Sequence, residues 1–204
     1  MKIGGFQKFS LIDFPGEVCA VVFTQGCNFR CPYCHNPELV LPEQFGKTLS
    51  PALVLDFLKT RKGRLSSVTI TGGEPALQPA LLDFLQAIKS IPLKIKLDTN
   101  GAFPETLEQA FSQNLLDFVA MDIKAPLEAY DRICGCPVEI EAIEKSIALI
   151  LASGVRYQFR TTLVPKLHSS EMKAEIERWM TELGATHIFQ EFVPAKVLDA
   201  SLRV

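Results

Sequence analysis

The sequence predicts an α/β fold: an open, partial barrel of six β/α units. Short runs rich in β-branched residues alternate with longer amphipathic segments along the chain. Strands that alternate with helices in this way usually pair in parallel through right-handed crossovers. Six units are too few to close an eight-stranded barrel, so we expect the sheet to stay open. A flat, doubly wound sheet is the alternative.

The predicted elements follow one another in a regular order. The predicted strands cover residues 18–24, 67–71, 93–98, 118–123, 155–163 and 187–193. The predicted helices cover residues 51–60, 80–89, 105–112, 139–152 and 170–183. We expect one domain over residues 1–204, in which 1–16 lead in, 17–193 form the barrel and 194–204 form a tail.

The helix over residues 51–60 shows how the helices are inferred. Ser50 can cap the first turn, and Pro51 suits its first position because the missing N–H has no partner there. The apolar residues recur on one face, namely Leu53, Val54, Phe57 and Leu58. The last helix repeats this spacing with Met172, Ile176, Trp179, Met180 and Leu183. We expect both stripes to pack in the core.

Composition and charge limit the possible function classes. The 204 residues are 48% hydrophobic and 22% charged, which is typical of a globular domain with a core. The net charge is −2 and no basic stripe is present, so we expect neither a nucleic-acid nor a membrane partner. Neither a membrane-spanning apolar run nor a signal peptide is recognisable. We therefore expect a cytoplasmic protein, whose six cysteines are metal ligands or reactive thiols rather than disulfides.

Polar and glycine-rich segments follow the predicted strands at the end where such folds bind ligands. They are Gln25-Gly26-Cys27, Gly72-Gly73-Glu74-Pro75, Asp98-Thr99-Asn100-Gly101, Asp122, Lys124, Arg160 and Gln190. Because the carboxyl ends of parallel strands share one rim, we expect these residues to converge on one site.

Three cysteines form the most informative motif. Cys27, Cys31 and Cys34 are spaced C-x3-C-x2-C within one loop, so their thiolates can surround one small inorganic centre. Three local ligands would leave one iron of a [4Fe–4S] cluster open to an exogenous ligand, which indicates chemistry rather than scaffolding. A zinc knuckle with His35 as fourth ligand is the structural alternative, although His35 directly follows Cys34 and adjacent residues rarely bind one metal well.

The cysteine loop and its flanks resemble a known family. A C-x3-C-x2-C loop after a first strand resembles that of radical-SAM enzymes. The segments Ser10-Leu11-Ile12-Asp13-Phe14-Pro15-Gly16 and Tyr33-Cys34-His35-Asn36-Pro37 resemble those of glycyl-radical-enzyme activases. The similarity is greatest to the short activating proteins of anaerobic ribonucleoside-triphosphate reductase.

This resemblance implies cofactors and partners. The three cysteines would hold a [4Fe–4S] cluster, and the open iron would bind the amino and carboxylate groups of S-adenosylmethionine (SAM). One electron would then cleave SAM to methionine and a 5′-deoxyadenosyl radical. That radical would take a hydrogen atom from a glycine Cα of a large glycyl-radical enzyme. A low-potential donor such as flavodoxin or ferredoxin would supply the electron under anaerobic conditions.

The resemblance also implies which residues contact SAM. Gly72, Gly73 and Glu74 match a G-G-E-P motif that binds the methionine amino group. Tyr33 matches a position whose backbone meets the adenine, and we expect His35 and Asn36 to line the same side.

Further strand-end residues would surround the methionine part of SAM. Asp98, Asn100, Asp122 and Lys124 match positions that contact it and help to coordinate a monovalent cation. Lys124 and Arg160 are the candidates for its carboxylate, with a salt bridge to Asp122 as the structural alternative. Gln190 stands where longer activases carry a histidine near the nucleoside, so this contact should differ here.

The other cysteines and the substrate remain open at the level of sequence. We expect Cys19 to be a small buried side chain, and Cys134 and Cys136 to be non-catalytic, with metal binding or redox sensitivity as the alternative. Two other function classes are also compatible with the sequence. One is a radical-SAM enzyme that acts on a small molecule, such as a deazapurine synthase; the other is a non-catalytic cysteine metal-binding module.

Overall fold

A computed structural model of the chain describes residues 1–203, which form one seven-stranded sheet. Its strands are β1 (Ile3–Ser10), β2 (Cys19–Thr24), β3 (Ser67–Gly72), β4 (Lys94–Thr99), β5 (Phe118–Asp122), β6 (Arg156–Leu163) and β7 (His187–Glu191). The helices are α1 (Pro37–Val40), α2 (Pro51–Thr60), α3 (Leu81–Lys89), α4 (Pro104–Ser112), α5 (Tyr130–Cys134), α6 (Ile140–Ala152) and α7 (Ser170–Glu182). The predicted strands and helices all occur, with ends that differ by one or two residues at most.

The order of the strands identifies the architecture. Strands β2 to β7 are parallel and lie side by side in the order of the sequence. Because parallel crossovers are right-handed, an order that never reverses places the connecting helices on one face of the sheet. A doubly wound sheet would reverse its order at a switch point. The predicted open, partial barrel is therefore confirmed.

The first strand was not predicted. β1 pairs antiparallel with β2, and it falls in the segment that the sequence led us to treat as a lead-in. Two glycines and three exposed polar or aromatic positions leave β1 without the apolar alternation that marks a strand. Tertiary contacts stabilise it instead, because Ile3 is fully buried and the Phe6 ring packs edge-on against Phe57 of α2 at 5.2 Å.

The sheet separates two unequal cores. The larger core lies on the convex face, between the strands and the helices. The smaller core lies on the concave face, where Phe14 packs against alternate residues of β2 and β5. Cys19 is fully buried in this second core, among Phe14, Val21 and Phe118. This position agrees with the expectation that Cys19 is a small apolar side chain.

The helices of residues 1–203 are too short or too polar to cross a membrane.

Candidate active site at the carboxyl ends of the strands

One cavity of about 250 Å³ opens at the carboxyl ends of the strands. Every residue that the sequence predicts to bind the cluster or SAM lines this cavity. Those residues are Cys27, Tyr33, Cys31, Cys34, His35, Asn36, Gly72, Gly73, Glu74, Asp98, Asn100, Asp122, Lys124, Arg160 and Gln190. Gln25, Gly26, Pro75 and Gly101 of the same strand-end segments do not line it. The predicted convergence of strand ends on one rim is therefore present in the structure.

The cysteine loop follows β2 and is held by its own backbone. The Phe29 amide lies 3.4 Å from the Cys27 sulfur, and the Cys34 amide donates to the Cys31 carbonyl at 3.0 Å. The Arg30 guanidinium folds back and donates to the carbonyls of Cys27 and Phe29, each at 2.8 Å. These bonds direct the three sulfurs towards the cavity and the arginine away from it.

A second segment packs directly behind the cysteine loop. The Arg30 amide donates to the Cys134 carbonyl at 2.8 Å, and the Cys136 thiol donates to the Asn28 carbonyl at 3.5 Å. Gly135 has a φ of 68°, and a Cβ there would overlap the Arg30 carbonyl. Cys134-Gly135-Cys136 thus supports the cysteine loop from outside the cavity, and all the cysteines are free thiols.

A third segment lies across the loop from the far end of the barrel. The Leu198 amide donates to the Cys34 carbonyl at 3.0 Å, and the Asp199 amide donates to the Pro32 carbonyl at 2.8 Å. The His35 ring donates from Nε2 to the Val193 carbonyl at 2.9 Å and stacks on Phe192. Residues 192–199, which the sequence assigned mostly to a tail, therefore clamp the cysteine loop in place.

Three cysteine sulfurs at one cavity wall are donor atoms that fit an iron–sulfur cluster with one open iron. Within residues 1–203, no three His, Cys, Asp or Glu side chains lie close enough together to hold a single metal ion. The thiolates of a [4Fe–4S] cluster bind different iron atoms, so they are set wider apart around a larger centre. The His35 Nε2 atom donates to the Val193 carbonyl, so a zinc knuckle would have to use Nδ1 of this ring.

Burial makes two of the three thiols hard to ionise. Desolvation, with a contribution from Glu74, raises the pKa of Cys27 to about 12, and desolvation also raises the pKa of Cys34. A hydrogen bond with Cys134 instead lowers the pKa of Cys31 to about 7. Thiolates in such a place need a nearby positive centre, which a bound metal cluster provides.

The turn after β3 requires glycine at two successive positions. Gly72 has a φ of 117°, and a Cβ there would overlap the backbone of Thr24. A Cβ on Gly73 would overlap the Gly26 carbonyl. The turn therefore lies against the start of the cysteine loop, and only glycine permits this approach.

Glu74 joins this turn to the end of β4 by hydrogen bonds. Its side chain is only 1% exposed, and it accepts from the Ala76 amide at 2.9 Å, the Thr99 hydroxyl at 2.8 Å and the Asn100 amide at 2.7 Å. Burial raises the pKa of Glu74 to about 7, although these three donors favour the carboxylate. Both carboxylate oxygens are thus engaged by the protein itself.

A continuous series of ion pairs crosses the concave face. Lys96 pairs with Asp98, Asp98 with Arg160 at 3.4 Å, Arg160 with Asp122 at 2.7 Å, and Asp122 with Lys124 at 2.9 Å. The salt bridge that the sequence offered as an alternative role for Asp122 is therefore present, with both cations. Three cations face two carboxylates, which leaves an excess of one positive charge.

The ion pairs keep these groups charged despite their burial. Burial alone would raise the pKa of Asp122, but Arg160 and Lys124 outweigh it and hold that pKa well below its usual range. Burial would lower the pKa of Arg160 and of Lys124, but the neighbouring carboxylates raise both. The cavity floor therefore carries fixed charges at neutral pH.

The remaining predicted residues close the cavity on its other sides. Tyr33 is buried beneath the Lys124 ammonium, which lies 5.8 Å from its ring centre. The Asn100 amide group donates to the Asn28 side chain at 2.8 Å and lies 3.9 Å from the Cys27 sulfur. Gln190, on β7, belongs to the wall contributed by the last strand.

Several residues at the site were missed by sequence reasoning. Phe29, Val40, Thr71 and Thr162 also line the cavity. Lys96 lies below it, in contact with Asp98. The alternation in Lys94-Ile95-Lys96-Leu97-Asp98 places both lysines and the aspartate on one face, and this signal was available in the sequence.

This chain is similar to known proteins in sequence and in fold. Residues 21–178 match the radical SAM superfamily. A relative from Methanocaldococcus jannaschii, named as a glycyl-radical enzyme activating enzyme, is 31% identical over 98% of this chain and 84% of its own length. The pyruvate formate-lyase-activating enzyme of Clostridium pasteurianum is 31% identical over 83% of this chain and 71% of its own length.

Two further matches bear on substrate and fold. The 7-carboxy-7-deazaguanine synthase of Methanopyrus kandleri is 31% identical over 76% of this chain and 70% of its own length. The crystal structure of Streptococcus suis SuiB bound to S-adenosylmethionine superposes with a TM-score of 0.68 at 17% identity, over 87% of this chain and 41% of SuiB. This chain thus spans less than half of SuiB, and that likeness concerns the fold.

Proposed function

The chain belongs to the radical SAM superfamily of enzymes, and from that premise we propose that it is a glycyl-radical-enzyme activase. Membership of this superfamily implies a [4Fe–4S] cluster and SAM as cofactors. The observation that carries the proposal is that three cysteines line the same cavity as the ion-paired side chains of Asp122 and Arg160. Such charged side chains suit the charged groups of an amino acid. Similarity to a glycyl-radical enzyme activating enzyme over nearly the whole chain favours the activase class.

Cys27, Cys31 and Cys34 would hold the cluster. When bound, the cluster supplies the electron that cleaves SAM to methionine and a 5′-deoxyadenosyl radical, which then takes a hydrogen atom from the substrate. The protein contributes a fixed loop, held from outside by Cys134-Gly135-Cys136 and clamped by residues 192–199. This support keeps the three sulfurs at the cavity wall.

Lys124 and Arg160 would bind the carboxylate of SAM. Both cations are oriented by Asp122, and the excess positive charge of the ion-pair series matches one carboxylate. Asp98 and Asn100 would lie beside the methionine part. A monovalent cation at Asp98 and Asp122 stays a prediction, since both carboxylates already contact side-chain cations.

The turn after β3 would receive the amino group of SAM. Because Glu74 already accepts three hydrogen bonds, we assign it to holding the turn, and the backbone of Gly72 and Gly73 to contacting the ligand. Tyr33, His35, Asn36 and Gln190 would surround the nucleoside part, since they line the other walls of the cavity.

The proposed substrate is a protein. An open barrel lets a polypeptide loop of a glycyl-radical enzyme enter the cavity and present its glycine Cα. Anaerobic ribonucleoside-triphosphate reductase is our specific proposal for this partner, on the basis of the motifs flanking the cysteines. A low-potential flavodoxin or ferredoxin would act as the electron donor.

The proposal is tested with anaerobically reconstituted protein and a candidate partner. We expect SAM-dependent release of 5′-deoxyadenosine and a glycyl-radical doublet on the partner in electron paramagnetic resonance. Cys31→Ser should abolish both signals and lower the iron content, because a serine hydroxyl is a poor ligand for this soft centre. Cys19→Ser is the matched control, since Cys19 lies in the concave core away from the cavity.

Two results would separate the rival functions. Cleavage of SAM without a radical on any glycyl-radical partner, but with turnover of a deazapurine precursor, would favour a small-molecule enzyme of the kind represented by the 7-carboxy-7-deazaguanine synthase relatives. Stoichiometric zinc, together with no SAM cleavage, would instead identify a non-catalytic metal-binding module.

A further inference from the structure

Lys96 is a buried lysine on the concave face, directly below the candidate site. Its neighbours Ile95 and Leu97 are fully buried in the convex core, so Lys96 itself projects to the other side of β4. The side chain is 4% exposed, and its ammonium pairs with Asp98. Lys96 does not line the cavity, whereas Asp98 does.

Packing alone does not explain a lysine at this position. Lys96 is opposite Thr69 of β3 and Phe118 of β5 in the sheet, and neither of these neighbours carries a charge. An ammonium group loses its hydration when it is buried, so an apolar side chain of similar length would cost less free energy here. The compensating interaction is the contact with Asp98.

The geometry indicates what Lys96 does to the neighbouring charges. Arg160 lies 2.7 Å from Asp122 but 3.4 Å from Asp98. Asp98 thus shares Arg160 with Asp122 and has Lys96 as a further cationic partner. Without Lys96, Asp98 would depend on Arg160 alone, would draw the guanidinium towards itself and would add negative charge beside the cavity.

We propose that Lys96 is a positioning residue for SAM. By neutralising Asp98, it keeps the excess positive charge on Arg160 and Lys124 available for the methionine carboxylate. This inference rests on the proposed binding of SAM in the cavity. Lys96 would contact neither the cluster nor SAM and would act through Asp98.

The test compares two ligands that differ only in the carboxylate. Anaerobic titration calorimetry would measure the Kd of SAM and of decarboxylated SAM for the reconstituted holoenzyme, its Lys96→Met variant and a Lys94→Met control. Lys94 lies on the same face of β4, but its side chain is 53% exposed and pairs with Glu17 at the surface. Iron content and unfolding temperature would be measured for each variant.

We expect Lys96→Met to weaken SAM binding about tenfold, within the range for two coupled sites. The affinity for decarboxylated SAM should be nearly unchanged, because that ligand does not use the positive charge. Lys94→Met should change neither affinity. An equal loss for both ligands, or no loss for SAM, would show that Lys96 has only a structural role.

A charge-conserving variant guards against a simple folding defect. Lys96→Arg keeps a positive charge beside Asp98, so its SAM affinity should lie closer to that of the wild type than to that of Lys96→Met. An equal loss of SAM affinity in Lys96→Arg and Lys96→Met would overturn the charge argument. If the wild type itself binds no SAM, the proposed function and this inference fail together, whereas an unchanged ligand ratio in Lys96→Met defeats the inference alone.

Discussion

On the convex side of the sheet, β4 presents Ile95 and Leu97 to the helices; on the concave side, the same strand presents Lys96 and Asp98 to one another. The first pair is part of a large apolar core, and the second belongs to the series of ion pairs under the cavity. Successive residues of one strand therefore serve folding and chemistry separately. A substitution on one face should affect stability, and a substitution on the other should affect ligand binding.

The largest effect that this comparison predicts is on stability. Leu97 is fully buried among the convex-face residues, and Leu97→Ala should lower the free energy of unfolding by about 2–5 kcal/mol because it leaves a cavity. Chemical denaturation would measure this loss. At temperatures where the variant stays folded, its Kd for SAM should equal that of the wild type, and a weaker affinity would show that the two faces are not independent.

A pH effect on stability is expected from Glu74, which lines the cavity at the carboxyl ends of the strands. Burial raises the pKa of Glu74 to about 7, above its ordinary value of 4.5. A raised carboxyl pKa means that the folded state binds the proton more tightly than the unfolded state does. The contribution of Glu74 to the free energy of unfolding should therefore be greatest below about pH 4.5. It should fall by about 3 kcal/mol as the pH rises to about 7.

Denaturation at a series of pH values would reveal this contribution of Glu74. Glu74→Gln cannot ionise, so the difference in stability between wild type and variant should change over the window from about pH 4.5 to about pH 7. A difference that stays constant with pH would show that the three hydrogen-bond donors keep Glu74 ionised throughout.

A backbone clash at the rim should damage the site more than the fold. The methyl group of Gly73→Ala would overlap the Gly26 carbonyl and push the turn away from the cysteine loop. A shift of this kind should lower SAM cleavage about 100-fold, as displacements of about 1 Å do at active sites. Gly46→Ala is the matched control, because a Cβ on Gly46 meets open space. Equal 5′-deoxyadenosine yields from the two variants would contradict this prediction.

The smallest effect is expected outside both cores. Lys145 of α6 and Glu105 of α4 form a solvent-exposed ion pair at 2.9 Å. Lys145→Met should leave the free energy of unfolding essentially unchanged, because water and salt screen exposed charges. Its SAM affinity and cleavage rate should match the wild type. Thermal unfolding at two salt concentrations would detect any larger role.

Local signals in the sequence were sufficient for most of the fold and for the cavity lining. Strands β2 and β5 are compact apolar runs, the other parallel strands are rich in β-branched or alternating apolar residues, and the residues after most of them are unusual enough to be noticed. The strand β1 escaped prediction because its stability comes from contacts with β2 and α2 rather than from its own pattern. Lys96 was missed although the alternation along β4 places it on the same face as Asp98, because the sequence alone does not show that this face lies below the cavity.

Long-range support of the cysteine loop could not be predicted either. The segment Cys134-Gly135-Cys136 holds the loop by a backbone bond with Arg30 and a bond from the Cys136 thiol to the Asn28 carbonyl, and the backbone partners of these bonds could belong to any residue type. The clamp at Leu198 and Asp199 is of the same kind. Spacing identifies candidate ligands in a loop, but it does not reveal which distant segments hold that loop.

The clamp over the cysteine loop has a consequence for how the protein is made. His35 and its partner Val193 are 158 positions apart, so the ribosome completes the loop long before the clamp exists. At about 5–20 residues per second, the interval is roughly 10–30 seconds. During that time the cysteine loop lacks the hydrogen bonds from residues 192–199 that later hold it. The position of the clamp along the polypeptide thus makes this loop one of the last parts of the site to reach its final conformation.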